Sequence, residues 1–319
     1  MQVLNDWKLF PQTLRGGVLC VGNFDGVHVG HAQMLATGRT EAMAQGKPFT
    51  IMTFDPHPSV FLKPGVPRFP LATREQRIEL LGAFSPDVLL VVPTTPEFLA
   101  LEAEDFLRDI VRGNGSGLGA ALLVEGPTFT YGQGARGTVE TLRAHGPAHG
   151  LAALIVPSQE QSLTDMTIIS VSSSVIRWLI GQGRVADAAR ALGRPYTLRG
   201  VVVEGAKRGA MLGFPTANLR TAQLIPAAGI YAGTVTVDGR TYGAAISVGD
   251  NPTFAGRTTT VEAHLLDFSG DLYGRTIEIA FHRWVREMLA FAGAGPLVAQ
   301  MRRDVEWTRR VLAVEHASV

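Results

Sequence analysis

The chain has 319 residues, which at roughly 100–200 residues per domain fits two hydrophobic cores. Its 29 basic and 28 acidic residues leave a net charge of +1, so no global field recruits nucleic acid or a membrane, and any anion site must be local. The single cysteine, Cys20, excludes an internal disulfide framework, and the opening residues, with Asp6, Trp7 and Lys8, lack the apolar core of a secretion signal, so the expected compartment is the cytoplasm.

In chain order, short apolar runs predict strands at 17–21, 48–54, 87–92, 119–124 and 151–156. All are far shorter than the roughly 20 residues of a membrane helix. Helical periodicity at 31–45, 73–84, 96–112 and 137–149 suits right-handed βαβ crossovers and a parallel sheet. The first half therefore reads as Rossmann-like α/β, with ligands expected outside the carboxyl ends of the strands, in the loops after Val21, Phe54 and Val124. A short helix at 185–192, stopped by Gly193 and Pro195, puts a boundary between 183 and 195 and gives domains 1–185 and 186–319. β-rich segments follow at 197–204, 230–237, 241–248, 259–266 and 276–282, with turns at Asp238-Gly239 and Ser269-Gly270-Asp271. Their natural closure is a small antiparallel β-barrel. A terminal amphipathic helix at 296–314 places Leu297, Met301, Val305 and Val311 on one face.

Directly after the first strand, Val21-Gly22-Asn23-Phe24-Asp25-Gly26-Val27-His28-Val29-Gly30-His31 sets two imidazoles three residues apart at a helix start. Helix-terminal N–H groups and imidazole donors would together stabilise a triphosphate and the charge developing on departing pyrophosphate. The plain alternatives are strand-to-helix packing and zinc held by His28 and His31, for which no complete ligand set is evident. His57, in Thr53-Phe54-Asp55-Pro56-His57-Pro58, is on its own most simply part of a rigid proline turn. Ser172, Ser173 and Ser174, followed by Arg177, could cap a helix or bind phosphate with the help of the guanidinium fork.

A second phosphate-like segment runs from Gly200 to Leu219. Gly205, Gly209 and Gly213 let backbone N–H groups approach phosphate oxygens, Lys207 and Arg208 add charge, and Thr216 with Asn218 offers a Mg²⁺ ligand set. A basic hairpin followed by a proline turn is the bland alternative. The string Gly213-Phe214-Pro215-Thr216-Ala217-Asn218 closely resembles the signature of riboflavin kinases. Gly22-Asn23-Phe24-Asp25-Gly26-Val27-His28 resembles the nucleotidyltransferase signature of bacterial FAD synthetases, and the loop at His57 and the Ser172–Arg177 run are similar to further elements of that family, with Ser174 where threonine is usual. The order Gly229-Ile230-Tyr231-Ala232, 248–254 and Asp271-Leu272-Tyr273-Gly274 extends the likeness across the second domain.

The chain is thus similar to the bacterial bifunctional riboflavin kinase/FAD synthetases over most of its length. The resemblance implies phosphorylation of riboflavin by ATP to FMN at the barrel, and adenylylation of FMN by ATP to FAD plus pyrophosphate at the Rossmann-like domain, both with Mg²⁺. It implies Glu262, in Thr260-Val261-Glu262-Ala263-His264, as the base for the riboflavin hydroxyl, and Arg286, Glu287 and Met288 as a flap against the flavin ring. It places Asn23, Phe24, Asp25, Gly26, Gly30, His57, Phe214 and Pro215 at ATP, with Thr128 and Phe129 beside flavin. Thr128 departs from the family's amide or carboxylate in Gly126-Pro127-Thr128-Phe129. The alternative is therefore an active riboflavin kinase joined to a weakened, inactive or differently selective nucleotidyltransferase domain. The expected partners are riboflavin, FMN, FAD and ATP, without nucleic acid or membrane; oligomeric state is left open.

Overall fold

The computed structural model describes residues 1–66, 68–113, 117–205, 208–253 and 256–316. The chain divides into two compact units, Met1–Arg68 with Arg74–Glu160, and Phe69–Thr73 with Gln161–Val319.

The first unit is built on a six-stranded sheet of β1 (Gln2–Leu4), β2 (Val18–Val21), β3 (Phe49–Asp55), β4 (Val88–Pro93), β5 (Leu122–Glu125) and β6 (Ala152–Ile155), in the order β1-β4-β3-β2-β5-β6. Every pairing in it is parallel. The central strands read as unbroken apolar runs, because a parallel sheet is covered on both faces; all four residues of β2 are buried. The predicted α/β layer is therefore present. The edge strand β1 has no sequence signal, being three residues long with two exposed.

Helices α1 (Val29–Ala44) and α2 (Arg74–Gly82) match the periodicity. The expected single helix over 96–112 is instead broken into Pro96–Leu99, Ala103–Asp105 and a π-helical stretch at Phe106–Arg112. The carbonyl of Leu101 is diverted to the N–H of Gln133 and so cannot carry the helix through. The predicted helix at 137–149 starts later, as α3 (Val139–His145), because Gly137–Thr138 pairs with Thr130–Tyr131 and Thr138 forms a capping box with Thr141.

The second unit contains α4 (Ser173–Gly181) and α5 (Val185–Leu192), the latter stopped by Gly193 at φ 74°, a left-handed cap that glycine adopts without Cβ strain. Strands β7 (Tyr196–Val203), β8 (Ala217–Arg220), β9 (Gly229–Val237), β10 (Arg240–Thr253), β11 (Gly256–Leu265) and β12 (Thr276–Arg286) close a barrel in the order β7-β8-β11-β10-β9-β12. All of its pairings are antiparallel. Asp238 and Gly239 both have positive φ, 46° and 76°, as a two-residue hairpin turn requires. The terminal helix is α6 (Ala294–His316). The barrel core centres on Tyr231, which meets Phe281 and Trp284 edge-on at 5.2 and 5.1 Å.

Gln223 is 1% exposed and ties three backbone segments together. Its Oε1 accepts the N–H of Arg199 at 2.7 Å, while Nε2 donates to the carbonyls of Thr197 and Leu71, both at 3.0 Å. Gln223→Ala strands buried partners, so it should destabilise the second unit by about 2–3 kcal/mol, measurable by urea unfolding.

Candidate functional site

The barrel site follows from strand register. Asn218 on β8 lies directly opposite Glu262 on β11, and Glu262 lies opposite Ser247 on β10. Because side chains alternate along a strand, Thr216 shares a face with Asn218, and His264 with Glu262. The Thr216 hydroxyl donates to Glu262 Oε2 at 3.1 Å. The imidazole of His264 donates from Nδ1 to the carbonyl of Pro215 at 2.9 Å and meets the Phe214 ring at 5.3 Å, holding the residues just before Thr216.

The loop between β7 and β8 needs its glycines. A Cβ on Gly205 would lie 2.4 Å from the Asn218 amide, one on Gly209 would lie 2.4 Å from the Phe214 carbonyl oxygen, and Gly213 has φ +87°. Arg208 opens a short helical turn, Arg208–Met211. Lys207 lies outside the described residues, as does Phe254.

Thr216 and Glu262 open into a cavity of about 320 Å³, also lined by Gly209, Phe214, Ser247 and His264. Met288, Leu289, Phe291, Leu297 and Met301 give it an apolar cover. Of the flap residues expected from sequence, Arg286 and Met288 line it. Arg286 is committed to a two-pronged pair with Asp304 of α6, with Nε to Oδ1 at 3.0 Å and a terminal nitrogen to Oδ2 at 2.7 Å, and it also donates to the Glu287 carbonyl at 2.8 Å. Glu287 itself is exposed. Asp304, 5% exposed, was not singled out in the sequence; its signal would have been an acid on the apolar face of the terminal helix.

In the first unit the sheet order reverses between β2 and β5, the switch point at which α/β folds form a ligand crevice. A cavity of about 550 Å³ lies there, lined by Gly22, Asn23, Phe54, Pro58, Phe98, Phe106, Thr128, Phe129 and Tyr131 among others. The Phe129 and Tyr131 rings stack at 5.4 Å, so one wall is aromatic. Asn23 is fixed through its carbonyl, which accepts from Thr53 Oγ1 at 3.2 Å and Arg77 at 3.4 Å; Arg77 in turn pairs with Asp55 at 2.9 Å. The Asn23 Oδ1 is shielded from solvent with no hydrogen-bond partner, as is Nδ1 of His31. Buried orphan polar atoms of this kind are what a bound polar ligand satisfies.

The loop before α1 is contorted, with Phe24, Gly26 and Val27 at φ 47°, 83° and 41°. This buries Phe24 fully and sets it edge-on to His31 at 5.2 Å, while Asp25 is 3% exposed. The rings of His28 and His31 stack at 3.6 Å. His28 caps α1, its Nδ1 accepting the His31 backbone N–H at 3.3 Å, so a neutral His28 carries its proton on Nε2. Gly30 leaves room for that ring, since a Cβ there would sit 3.3 Å from it. Burial, reinforced by the charge of His28, holds His31 well below the ordinary imidazole range. His57 accepts the N–H of Ser59 through Nδ1 at 3.1 Å and starts the turn Ser59–Leu62. Ser172 caps α4 by accepting the Val175 N–H, and Arg177 donates to the Ser173 carbonyl at 3.2 Å; this element, with Ser174, belongs to the second compact unit.

The folded protein binds a proton on His31 less tightly than the unfolded chain, so stability drawn from the neutral ring is present above about pH 6.5 and is lost as pH falls below it. In an NMR titration the His31 ring should titrate well below about pH 6.5, and His28→Gln should move that midpoint upward.

Two family models match the chain: riboflavin kinase over residues 192–312 and FAD synthetase over residues 10–172. The bifunctional riboflavin kinase/FMN adenylyltransferase of Listeria monocytogenes is 33% identical over 93% of this chain and 92% of its own length. The protein of the same description from Bacillus subtilis is 32% identical, over 95% of each. A crystal structure described as a macrolide-efflux protein from Streptococcus pneumoniae superposes with a TM-score of 0.86 at 30% identity, over 97% of this chain and 98% of that one. Among the described residues no helix is long and apolar enough to cross a membrane. Relatives named for both activities over nearly full length give no support to a chain reduced to kinase activity. The chain belongs to the bifunctional riboflavin kinase/FMN adenylyltransferase family, transferases that use ATP and a divalent metal to convert riboflavin to FMN and FMN to FAD.

Proposed function

We propose that the barrel, within residues 186–319, phosphorylates riboflavin through Glu262, and that the sheet cleft, within residues 1–185, adenylylates FMN. The single observation that carries the kinase assignment is the hydrogen bond from Thr216 to Glu262 in the lining of a largely apolar cavity. Oε2 of Glu262 is engaged by Thr216, which leaves Oε1 to accept the proton of the riboflavin 5′-hydroxyl as its oxygen attacks the γ-phosphorus. With its O–H directed at Glu262 as a hydrogen bond, the Thr216 hydroxyl keeps lone pairs for a hard cation, and Asn218 supplies a second oxygen on the same face; these donors fit Mg²⁺. Bound there, Mg²⁺ would neutralise charge on the transferring phosphoryl group. Gly205, Gly209 and Gly213 let the preceding loop lie close to the nucleotide, with Lys207 and Arg208 adding charge. Met288 covers the flavin ring, and Arg286 acts on that ring by anchoring the flap to Asp304.

In the cleft, Nε2–H of His28 would donate to nucleotide phosphate, while neutral His31 packs behind it and presents its orphan nitrogen. Asn23 and the backbone around Phe24, Asp25, Gly26 and Gly30 form the rest of the phosphate site, with His57 beside it; Ser172, Ser173, Ser174 and Arg177 are assigned to phosphate by the family resemblance alone. Thr128 and Phe129 lie against FMN. We infer a cytoplasmic enzyme without nucleic acid or membrane partners, in keeping with a net charge of +1 that offers neither a global attractive field.

Glu262→Gln keeps the shape but not the basicity, so FMN formation should fall by about 10²–10⁴-fold while riboflavin still binds and supplied FMN is still converted to FAD. Chromatographic separation of the flavins reads both reactions, and unchanged FMN formation removes Glu262 as the base. Thr216→Ala should raise the Mg²⁺ concentration for half-maximal kinase rate by about tenfold, read from initial rates in a metal titration.

A further inference from the structure

Glu125 is the last residue of β5 and is 2% exposed, a carboxyl buried without a cationic partner in any hydrogen bond or ion pair among the described residues. Main-chain pairing between β2 and β5 is present at Val18↔Leu122 and Leu19↔Leu123, short of the ends of both strands. Beyond it, the Glu125 side chain takes the place of a backbone acceptor: Oε1 receives the Val21 N–H at 2.7 Å. On the other side of Glu125, β5 continues to pair with β6 at Ile155. The next residue after Val21, Gly22, donates its N–H to Met52 of β3 at 3.0 Å. The chain then enters the cleft as Gly22 and Asn23, both of which line it. The carboxyl thus stands at the switch point, where β2 parts from β5.

We propose that Glu125 is a positioning residue for FMN adenylylation, its carboxyl holding the end of β2 apart from β5 so that Gly22 and Asn23 are presented to the nucleotide and flavin. The proposal rests on the reading of the switch-point cleft as the adenylylation site. A carboxylate in this place would be a buried charge with one hydrogen bond to offset its desolvation, and burial accordingly raises the Glu125 carboxyl well above the usual range. The titratable neighbour is the Cys20 thiol on β2, itself pushed up by burial and by Glu125. Strands β2 and β6 bring Val21 and Ile155 to the group, and α1, which also packs on β5, carries His31, Arg39 and Glu41, none of them hydrogen-bonded or ion-paired to Glu125 among the described residues. The folded chain binds this proton more tightly than the unfolded one, so the arrangement is fully present at low pH and weakens as pH rises through the raised value.

The full-length chain provides its own control, because the kinase reaction proceeds in the other compact unit. FAD formation from supplied FMN and FMN formation from riboflavin are measured on the same samples from about pH 6 to pH 9. In the wild type, KM for FMN in the adenylylation should rise at alkaline pH relative to the kinase parameters. Glu125→Gln keeps the acceptor and cannot ionise, so it should retain the neutral-pH KM and lose the alkaline rise. Glu125→Ala should raise KM by about fivefold or more at neutral pH, with kcat less affected and the kinase rate unchanged. Wild-type KM in Glu125→Ala overturns the proposal, as does an alkaline rise that persists in Glu125→Gln. If Glu125→Ala fails to fold, the glutamine variant alone decides. Asn23→Ala separates the two readings: intact FAD formation in that variant overturns the cleft assignment itself, whereas impairment there with normal Glu125→Ala overturns only the role of Glu125.

Discussion

The register of one four-residue strand governs the kinase half. Ala217–Arg220 is hydrogen-bonded on both sides, to β7 and to β11, and that double pairing sets Asn218 across from Glu262. A slip by one residue would turn Asn218 and Thr216 to the other face of the barrel. Three independent contacts guard against this: Thr216 to Glu262, His264 to Pro215, and the close passage of Gly205 over the Asn218 amide. The proposed base, the proposed cation ligands and the glycine loop therefore share one geometric origin. The cover stands outside that register, with Met288 and Leu289 exposed.

The adenylylating half solves a related problem with different means. It needs no covalent nucleophile, only fixed donors around a polyphosphate. The sheet supplies a crevice by topology, and the strained turn at Phe24 and Val27 brings two histidines together over a helix start. Burial, with His28 stacked at 3.6 Å, holds the His31 ring neutral, and because Nδ1 of His28 accepts the His31 N–H, the donor that ring can offer a ligand is at Nε2. Positive potential is thus local to a few donors, in keeping with a chain whose net charge is only +1.

Much of this was legible in the sequence because the signals are periodic or stereochemical. Apolar runs announced the parallel strands, Asp238-Gly239 announced a hairpin, and Gly193 announced a helix end. The resemblance at Gly213–Asn218 points to Thr216 and that at Thr260–His264 to Glu262, and the fold brings the two side chains within 3.1 Å. What escaped notice depends on distant partners. β8 is too short to show alternation and exists because two strands flank it; the helix expected at 96–112 is broken by a hydrogen bond from Gln133, more than twenty residues on. Asp304 and Glu125 look like ordinary acids in a linear reading. Only burial, and the groups each one holds, distinguishes them.

The five residues Phe69–Thr73 belong to the barrel-containing unit although the chain on either side of them belongs to the other. Leu71 gives its carbonyl to Gln223, and Pro70 accepts the N–H of Leu224 at 3.0 Å. The kinase half is therefore not one uninterrupted stretch of gene. A barrel produced from residue 186 onward would lack a piece of its own hydrogen-bonded fabric, and two activities that are chemically separable are, in this chain, sewn into a single product of translation.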